Sequence, residues 1–126
     1  MQDTPSPATL ATAIADLLKR EFLPKLTDHL AFQTRVAINA LDLIARQTGT
    51  QAASEAKEHA RLVALLKREG PLAELNADIA AQIAEGTMDL STPGLADHLW
   101  ATTLEKLAVD QPNYASYRAE AARKAV

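Results

Sequence analysis

Apolar residues return every three or four positions along almost the whole chain, the spacing that places them on one face of an α-helix. In the first segment they are Leu10, Ile14, Leu17, Leu18 and Phe22. The composition agrees with this pattern, because 26 alanines and 18 leucines stand against only nine isoleucines and valines, the residues that favour strands. The sequence therefore predicts an all-α fold.

Glycine, proline and capping residues predict where the helices begin and end. Ser6 with Pro7 predicts the start of helix one, and Gly49 followed by Thr50 predicts a break between helices two and three. The other breaks are predicted at Pro24, Gly70-Pro71, Gly86, Thr92-Pro93 and Pro112. Such short connections are typical of antiparallel neighbours. We predict a single-domain up-and-down bundle of about five helices over residues 1–126, with a short C-terminal helical or frayed tail and flexible ends at 1–6 and 118–126.

Residues 28–47 form the most apolar segment. Four of its polar residues recur at helical spacing and so fall on one narrow stripe: Arg35, Asn39, Asp42 and Arg46. A helix that is apolar over most of its circumference is typical of the centre of a bundle. A covered guanidinium needs a carboxylate or a ligand anion. We therefore expect either an ion pair between Arg35 and an acidic residue of helix five or its end, with Asp110 as a candidate, or a small pocket where Arg35 and Asn39 hold a carboxylate or phosphate. Ordinary solvent exposure of the stripe is the third alternative.

Three aromatic residues are candidates for an interface. Trp100 lies on the apolar face predicted for helix five, where a core position is the simplest expectation. Tyr114 and Tyr117 follow Pro112, and they either fold back onto the bundle or project outward as interface anchors.

Several classes of site are not supported by the residues present. The chain has no cysteine, which excludes disulfides, thiolate zinc sites and cysteine nucleophiles. Its four glycines form no phosphate-binding loop, and no Gly-x-Ser-x-Gly or Glu-x-x-His occurs. Adjacent Glu58 and His59 point about 100° apart on a helix, so they cannot both face one ion. We predict no metal, no cofactor and no catalytic residue, and expect His29 and His98 at helix starts on the surface and His59 against the core.

Charge is unevenly distributed along the chain, whose net charge is −3. Residues 69–110 carry one basic and eight acidic side chains, which form either a solvated acidic face or a docking surface for a basic partner. No basic stripe with interleaved aromatics occurs, so nucleic acid is not an expected partner. The longest uncharged run is residues 4–15, too short for a membrane span, and the start does not match a signal peptide. We expect a soluble, cytoplasmic protein.

Two stretches, LAFQTRVAINAL at 30–41 and LEKLAVDQPNY at 104–114, carry a resemblance together with residues 1–10. They resemble a family of small bacterial helical proteins of unknown function. Genes of that family often lie beside acyl-CoA dehydrogenases and aminoglycoside-phosphotransferase-like kinases. The family usually has Asn-Pro where this chain has Gln111-Pro112. The resemblance implies an accessory role near acyl-CoA or kinase chemistry.

These features together lead to one functional expectation with two alternatives. We expect a non-enzymatic accessory bundle that docks on a neighbouring metabolic enzyme, either acyl-CoA dehydrogenase-like or phosphotransferase-like. The first alternative is a bundle that binds or transforms a small carboxylate, phosphate or acyl-CoA through Arg35 and Asn39. The second is a homodimer formed through the remaining apolar surface of helix five.

Overall fold

The structure, a computed structural model, describes residues 4–124 and contains five α-helices and no strand in that range. The helices are α1 (Pro7–Leu17), α2 (Asp28–Leu66), α3 (Leu72–Ala84), α4 (Leu95–Asp110) and α5 (Ala115–Lys124). The predicted all-α class with about five helices is confirmed. Residues 1–3 and 125–126, part of the ends predicted to be flexible, lie outside the described residues. The chain forms two compact units, unit 1 ending at Gln51 and unit 2 beginning at Ala52.

The beginning of α1 is as predicted. Pro7 is the first helical residue, and the hydroxyl of Ser6 accepts a hydrogen bond from the backbone N–H of Thr9 at 3.2 Å. Beyond Leu17 the helical path continues as a π-helical stretch, Leu18–Phe22, and a 3₁₀ turn, Leu23–Lys25. This turn contains Pro24, where the sequence predicts the end of helix one. That prediction rests on the restriction that proline places on α geometry in the residue before it.

The predicted break at Gly49 is wrong, because α2 runs without interruption through it. Thr50 does not cap a new helix. Its hydroxyl donates to the carbonyl of Arg46 at 2.8 Å, and the Thr48 hydroxyl donates to Ile44 at 2.7 Å. These side chains bond back to the preceding turn, as threonine does inside a helix. Predicted helices two and three are therefore one helix of 39 residues.

Within unit 1, α1 lies antiparallel to α2. A Cβ on Gly49 would lie 3.9 Å from the Cβ of Ala8, while the Lys19 ammonium lies 3.0 Å from a carboxylate oxygen of Asp42. The buried residues of this unit are mostly small: Ala11, Ala15, Ala31 and Ile38. Small side chains let two helices approach closely. Several larger apolar side chains of unit 1 are exposed, among them Leu10, Ile14, Phe32 and Val36.

Unit 2 has a core of larger aliphatic side chains from three helices. Leu62 of α2, Leu75 and Ile79 of α3, and Leu95 of α4 are buried together. Several partly buried residues pack against them, namely Val63, Leu65, Leu66, Leu72 and Met88. These contacts hold the end of α2 against α3 and the beginning of α4, where the polar cluster described below is assembled.

The remaining helix ends agree with the sequence except at α4. Gly86 follows α3 with a φ of 74°, and Pro112 lies two residues past the end of α4. The predicted cap at Thr92 is wrong, because the N-cap of α4 is Gly94, with a φ of 86°. The Thr92 hydroxyl instead accepts from the backbone N–H of Asp89 at 3.1 Å, within the loop before the helix.

Candidate functional site

One face of α2 in unit 1 exposes two apolar side chains beside the predicted polar pair. Phe32 is 61% exposed and Val36 is 51% exposed, and Arg35 and Asn39 are exposed as well. At about 100° per residue these four positions span roughly 100° of the helix circumference, so they share one face. The interpretation of residues 28–47 as the central helix of a bundle is wrong for this face, which is exposed. We call these four residues the α2 face.

A second apolar face of unit 1 lies on α1. Leu10, Ile14 and Leu17 are each about half exposed, and their spacing places them within roughly 60° on one side of the helix. This is the stripe whose periodicity predicted the helix. Its residues are core-forming by type, but in the structure the buried residues of α1 are Ala11 and Ala15. Unit 1 therefore presents large apolar side chains from two helices to solvent.

The predicted polar residues belong to different units of the chain. Arg35 and Asn39 belong to unit 1, whereas Asp110 is the last residue of α4 in unit 2 and is exposed. The ion pair between Arg35 and Asp110, and the ligand pocket at Arg35, therefore stay predictions. Asp42, from the same polar stripe, accepts hydrogen bonds from Lys19 at 3.0 and 3.2 Å.

The aromatic candidates lie on unit 2, near α5. Trp100 is 51% exposed, so the expected core position is wrong. Its indole N–H points toward Oε1 of Glu120 at 3.4 Å, and Arg123 also contacts that carboxylate at 2.9 Å. Tyr114 is half exposed and Tyr117 is partly buried. The role of all three as interface residues stays a prediction.

Unit 2 contains a polar cluster that no local pattern in the sequence predicts. The Arg61 guanidinium donates to both carboxylate oxygens of Glu105, at 3.1 and 2.8 Å, and a third contact reaches Thr102 at 3.4 Å. Paired donors of this kind match the geometry of a carboxylate. The hydrogen bonds from Arg61 lower the pKa of Glu105 and outweigh the opposing effect of burial. The charge of Arg61, a hydrogen bond from Ser54 and the charge of Lys57 lower this pKa by smaller amounts.

His98 lies beside this cluster and is only 3% exposed. Its expected place on the surface is therefore wrong. Burial lowers the pKa of His98, and the positive charge of Arg61 lowers it further, while Glu58 and Glu105 act in the opposite direction. His98 is thus held neutral in the folded state at a pH where a free imidazole begins to bind protons.

The other candidate metal ligands have protein partners. His59 Nε2 lies 2.9 Å from the carbonyl of Gly70, and Glu58 accepts from the amide of Asn76 at 3.1 Å. Both contacts join α2 to α3 or to the loop between them. Among residues 4–124 no group of three or more histidines and carboxylates is arranged to hold a metal ion.

A groove opens where α2 faces the beginning of α4 in unit 2. Its volume is about 250 Å³. Its lining combines apolar and polar residues: Arg61, Ala64, Leu65, Pro93, Gly94, Asp97 and His98. Two nitrogens on its lining side chains, Nε of Arg61 and Nδ1 of His98, are buried without a hydrogen-bond partner among the described residues. Buried polar atoms are nearly always paired, so these two unpaired nitrogens are unusual.

Comparison with known proteins identifies a family. The profile of DUF6285, a domain of unknown function, matches residues 24–114, which is most of the chain. Neither the curated proteins nor the solved structures include a match. Within residues 4–124, no helix combines the length and apolarity that crossing a membrane requires.

Proposed function

We propose that this chain, which belongs to the DUF6285 family of unknown function, is a non-enzymatic accessory protein that docks on a metabolic enzyme. The observation that carries this proposal is the α2 face, where exposed Phe32 and Val36 flank Arg35 and Asn39. That face is the part of unit 1 through which we propose docking.

The composition of the α2 face supports a protein partner. Protein interfaces are enriched in aromatic residues and arginine, and a few such residues carry most of the binding energy. Phe32 supplies an aromatic side chain, and Arg35 supplies a planar donor three positions away on the same side of the helix. Exposed apolar groups that cluster on a surface are characteristic of interaction sites. The exposed stripe of Leu10, Ile14 and Leu17 on α1 adds further apolar area within the same unit.

The class of partner comes from the family resemblance. Genes of the family that this chain resembles often lie beside genes for acyl-CoA dehydrogenases and aminoglycoside-phosphotransferase-like kinases. We propose an enzyme of one of these two classes as the partner, which the protein contacts in the cytoplasm. Trp100, Tyr114 and Tyr117 on unit 2 are a second set of contact residues under the same proposal. The acidic segment 69–110 favours a partner with a basic surface, since opposite charges speed association.

A small-molecule site at Arg35 and Asn39 is the alternative, with a carboxylate, a phosphate or an acyl-CoA as ligand. Sites for small molecules are concave and bury most of the ligand surface. The exposure of both side chains therefore supports docking better than it supports a ligand pocket. A thermal-shift screen of the three ligand classes separates the two functions, because a ligand at 100 times its dissociation constant stabilises a protein by ~2.7 kcal/mol.

The docking proposal is tested by co-purification with the enzymes encoded beside the chain. We compare the wild type with Phe32→Glu, which places a charge in the α2 face. Leu90→Glu is the matched control, because Leu90 is also an exposed apolar residue but lies in the loop before α4. The proposal expects the wild type and the control to retain the enzyme at micromolar concentration and Phe32→Glu to lose it. Clean separation of the wild type from these enzymes, or equal retention of all three proteins, contradicts it.

A further inference from the structure

The two helices of unit 1 leave large apolar side chains uncovered on the same side of the unit. Those of α1 are Leu10, Ile14 and Leu17, and those of α2 are Leu30 and Ile44, each between 46% and 58% exposed. We call these five residues the hairpin face. Their common side follows from the rotation of each residue about its helix axis, at about 100° per position.

The buried residues of unit 1 mark the line along which its two helices contact each other. On α1 they are Ala11 and Ala15, and on α2 they are Ala31 and Ile38. On both helices the hairpin face is rotated from this line by about 80–140°, in the same sense of rotation.

The ion pair between Lys19 and Asp42 shows that one sense of rotation leads to one side of the unit on both helices. These two residues are rotated from the contact line in the sense opposite to that of the hairpin face, by roughly 60° on α1 and 30° on α2. Their charged groups lie 3.0 Å apart, so both residues lie on one side of the antiparallel pair. The residues of the hairpin face therefore lie together on the other side.

The hairpin face is free of charged residues. The further positions on this side of α2 are also uncharged: Gln33, Ala37, Ala40 and Thr48. Every charged residue of α1 and of positions 30–48 is rotated toward the ion pair instead, namely Asp16, Arg35, Asp42 and Arg46. In a contact around a two-fold axis a surface meets its own copy, so like charges would approach each other there. An uncharged face has no such repulsion, and it offers no attraction to an acidic or basic partner.

Unit 1 lacks the second layer against which helices normally pack. Its buried apolar residues are three alanines and one isoleucine, whereas those of unit 2 are three leucines and one isoleucine. Helical domains are built from two packed layers, and a bundle of four helices is a common solution. A second copy of unit 1 supplies two helices with the same length and the same apolar pattern.

The size of the hairpin face suits a dimer. Two adjacent helices of about 11 Å diameter, followed over positions 30–48, present a footprint of about 22 Å by 28 Å, or roughly 600 Å². Stable protein–protein interfaces begin at about 600 Å² per partner. Two copies in contact through this face therefore bury the area that a stable dimer needs.

We propose that two copies of the chain associate through the hairpin face, so that α1 and the first part of α2 from each copy form a four-helix bundle. Phe32 lies about 120–160° around α2 from Ile44 and Leu30, so the α2 face stays accessible in this dimer. The dimer thus presents two α2 faces, and its formation does not depend on the docking proposed for them.

The test is light scattering of the full chain after size exclusion at micromolar concentration. The wild type should have twice the 13.5 kDa mass of a single chain. Ile14→Glu places a charge in the hairpin face of both copies and should raise the dissociation constant by about 100-fold or more. Thr12→Glu is the matched control, because Thr12 is an exposed residue of the same helix, about 160° around α1 from Ile14. This control should remain a dimer.

A second measurement separates loss of association from loss of folding. The Tm of a protein that is stabilised by dimerisation rises with its concentration. The wild type and Thr12→Glu should show this dependence, and Ile14→Glu should lack it. Ile44→Glu repeats the test on α2, so the outcome does not depend on the folding of one variant. The proposal is overturned if the wild type has the mass of one chain, if both glutamate variants of the hairpin face remain dimers, or if Thr12→Glu dissociates as they do.

Discussion

Replacing Phe32 and Leu62 by alanine, one at a time, compares the two kinds of apolar residue in this chain. Leu62 is fully buried in the core of unit 2, so Leu62→Ala should lower the free energy of unfolding by about 3–5 kcal/mol, the cost of a leucine-sized cavity. Phe32 is 61% exposed, which leaves about two fifths of its side chain removed from water. With ~3 kcal/mol for complete burial of phenylalanine, Phe32→Ala should cost only roughly 1 kcal/mol.

Urea unfolding followed by circular dichroism at 222 nm measures both values, with Leu90→Ala as a control that should change stability by less than about 0.5 kcal/mol. A loss of 3 kcal/mol or more for Phe32→Ala would show that this side chain is buried in the folded protein. The α2 face would then be part of a core, and the docking proposal would lose its basis.

Three further predictions concern unit 2. Glu105→Gln should lower the free energy of unfolding by roughly 1–2 kcal/mol at pH 7, because the partly buried Arg61 guanidinium loses its carboxylate partner. The pKa of Glu105 is lowered in the folded state, so the stability difference between wild type and variant is complete above pH 4.5. It should vanish as the pH falls through the folded-state pKa. Urea unfolding from pH 7 to pH 3 measures it, and a constant difference would refute the pairing. Between pH 7 and pH 5 the unfolded state protonates His98 near pH 6.5, whereas burial disfavours its protonation in the folded state. His98→Gln should therefore reduce the loss of unfolding free energy over this pH range. An equal loss in wild type and variant would show that His98 titrates normally. Gly94→Ala should lower the free energy of unfolding by about 1–2 kcal/mol in the same assay, because Gly94 has a φ of 86° and a Cβ there would lie 3.3 Å from a methyl group of Leu65. An unchanged free energy of unfolding would mean that the loop adopts another conformation.

Local signals predicted the class of fold and many helix ends, because these depend on residues close in sequence. Ser6 caps α1 and Gly86 follows α3 as expected. The break at Gly49 failed because a glycine and two threonines also fit inside a helix when the neighbouring turns continue. Hydrophobic periodicity alone cannot show whether a glycine ends a helix or lies inside a helix that continues past it.

The sites were harder to predict, since they depend on contacts between distant residues. Arg61 and Glu105 are 44 positions apart, and nothing local marks either one as the partner of the other. His98 was expected on the surface because it stands near a helix start, but its side chain is buried beside α2. The apolarity of residues 28–47 was interpreted as a sign of burial, whereas Phe32 and Val36 are exposed. Composition alone does not distinguish a helix with an exposed apolar face from a helix that is buried.

Site-specific photocrosslinking from position 32 tests the docking proposal most directly. A benzoylphenylalanine in place of Phe32 reacts only with groups that touch the α2 face. The experiment uses cells that also make an acyl-CoA dehydrogenase-like and an aminoglycoside-phosphotransferase-like enzyme. We predict a crosslink to the acyl-CoA dehydrogenase-like or phosphotransferase-like enzyme, lost when the same probe is placed at position 90. A crosslink to a second copy of this chain, or none to either enzyme, would contradict the proposal.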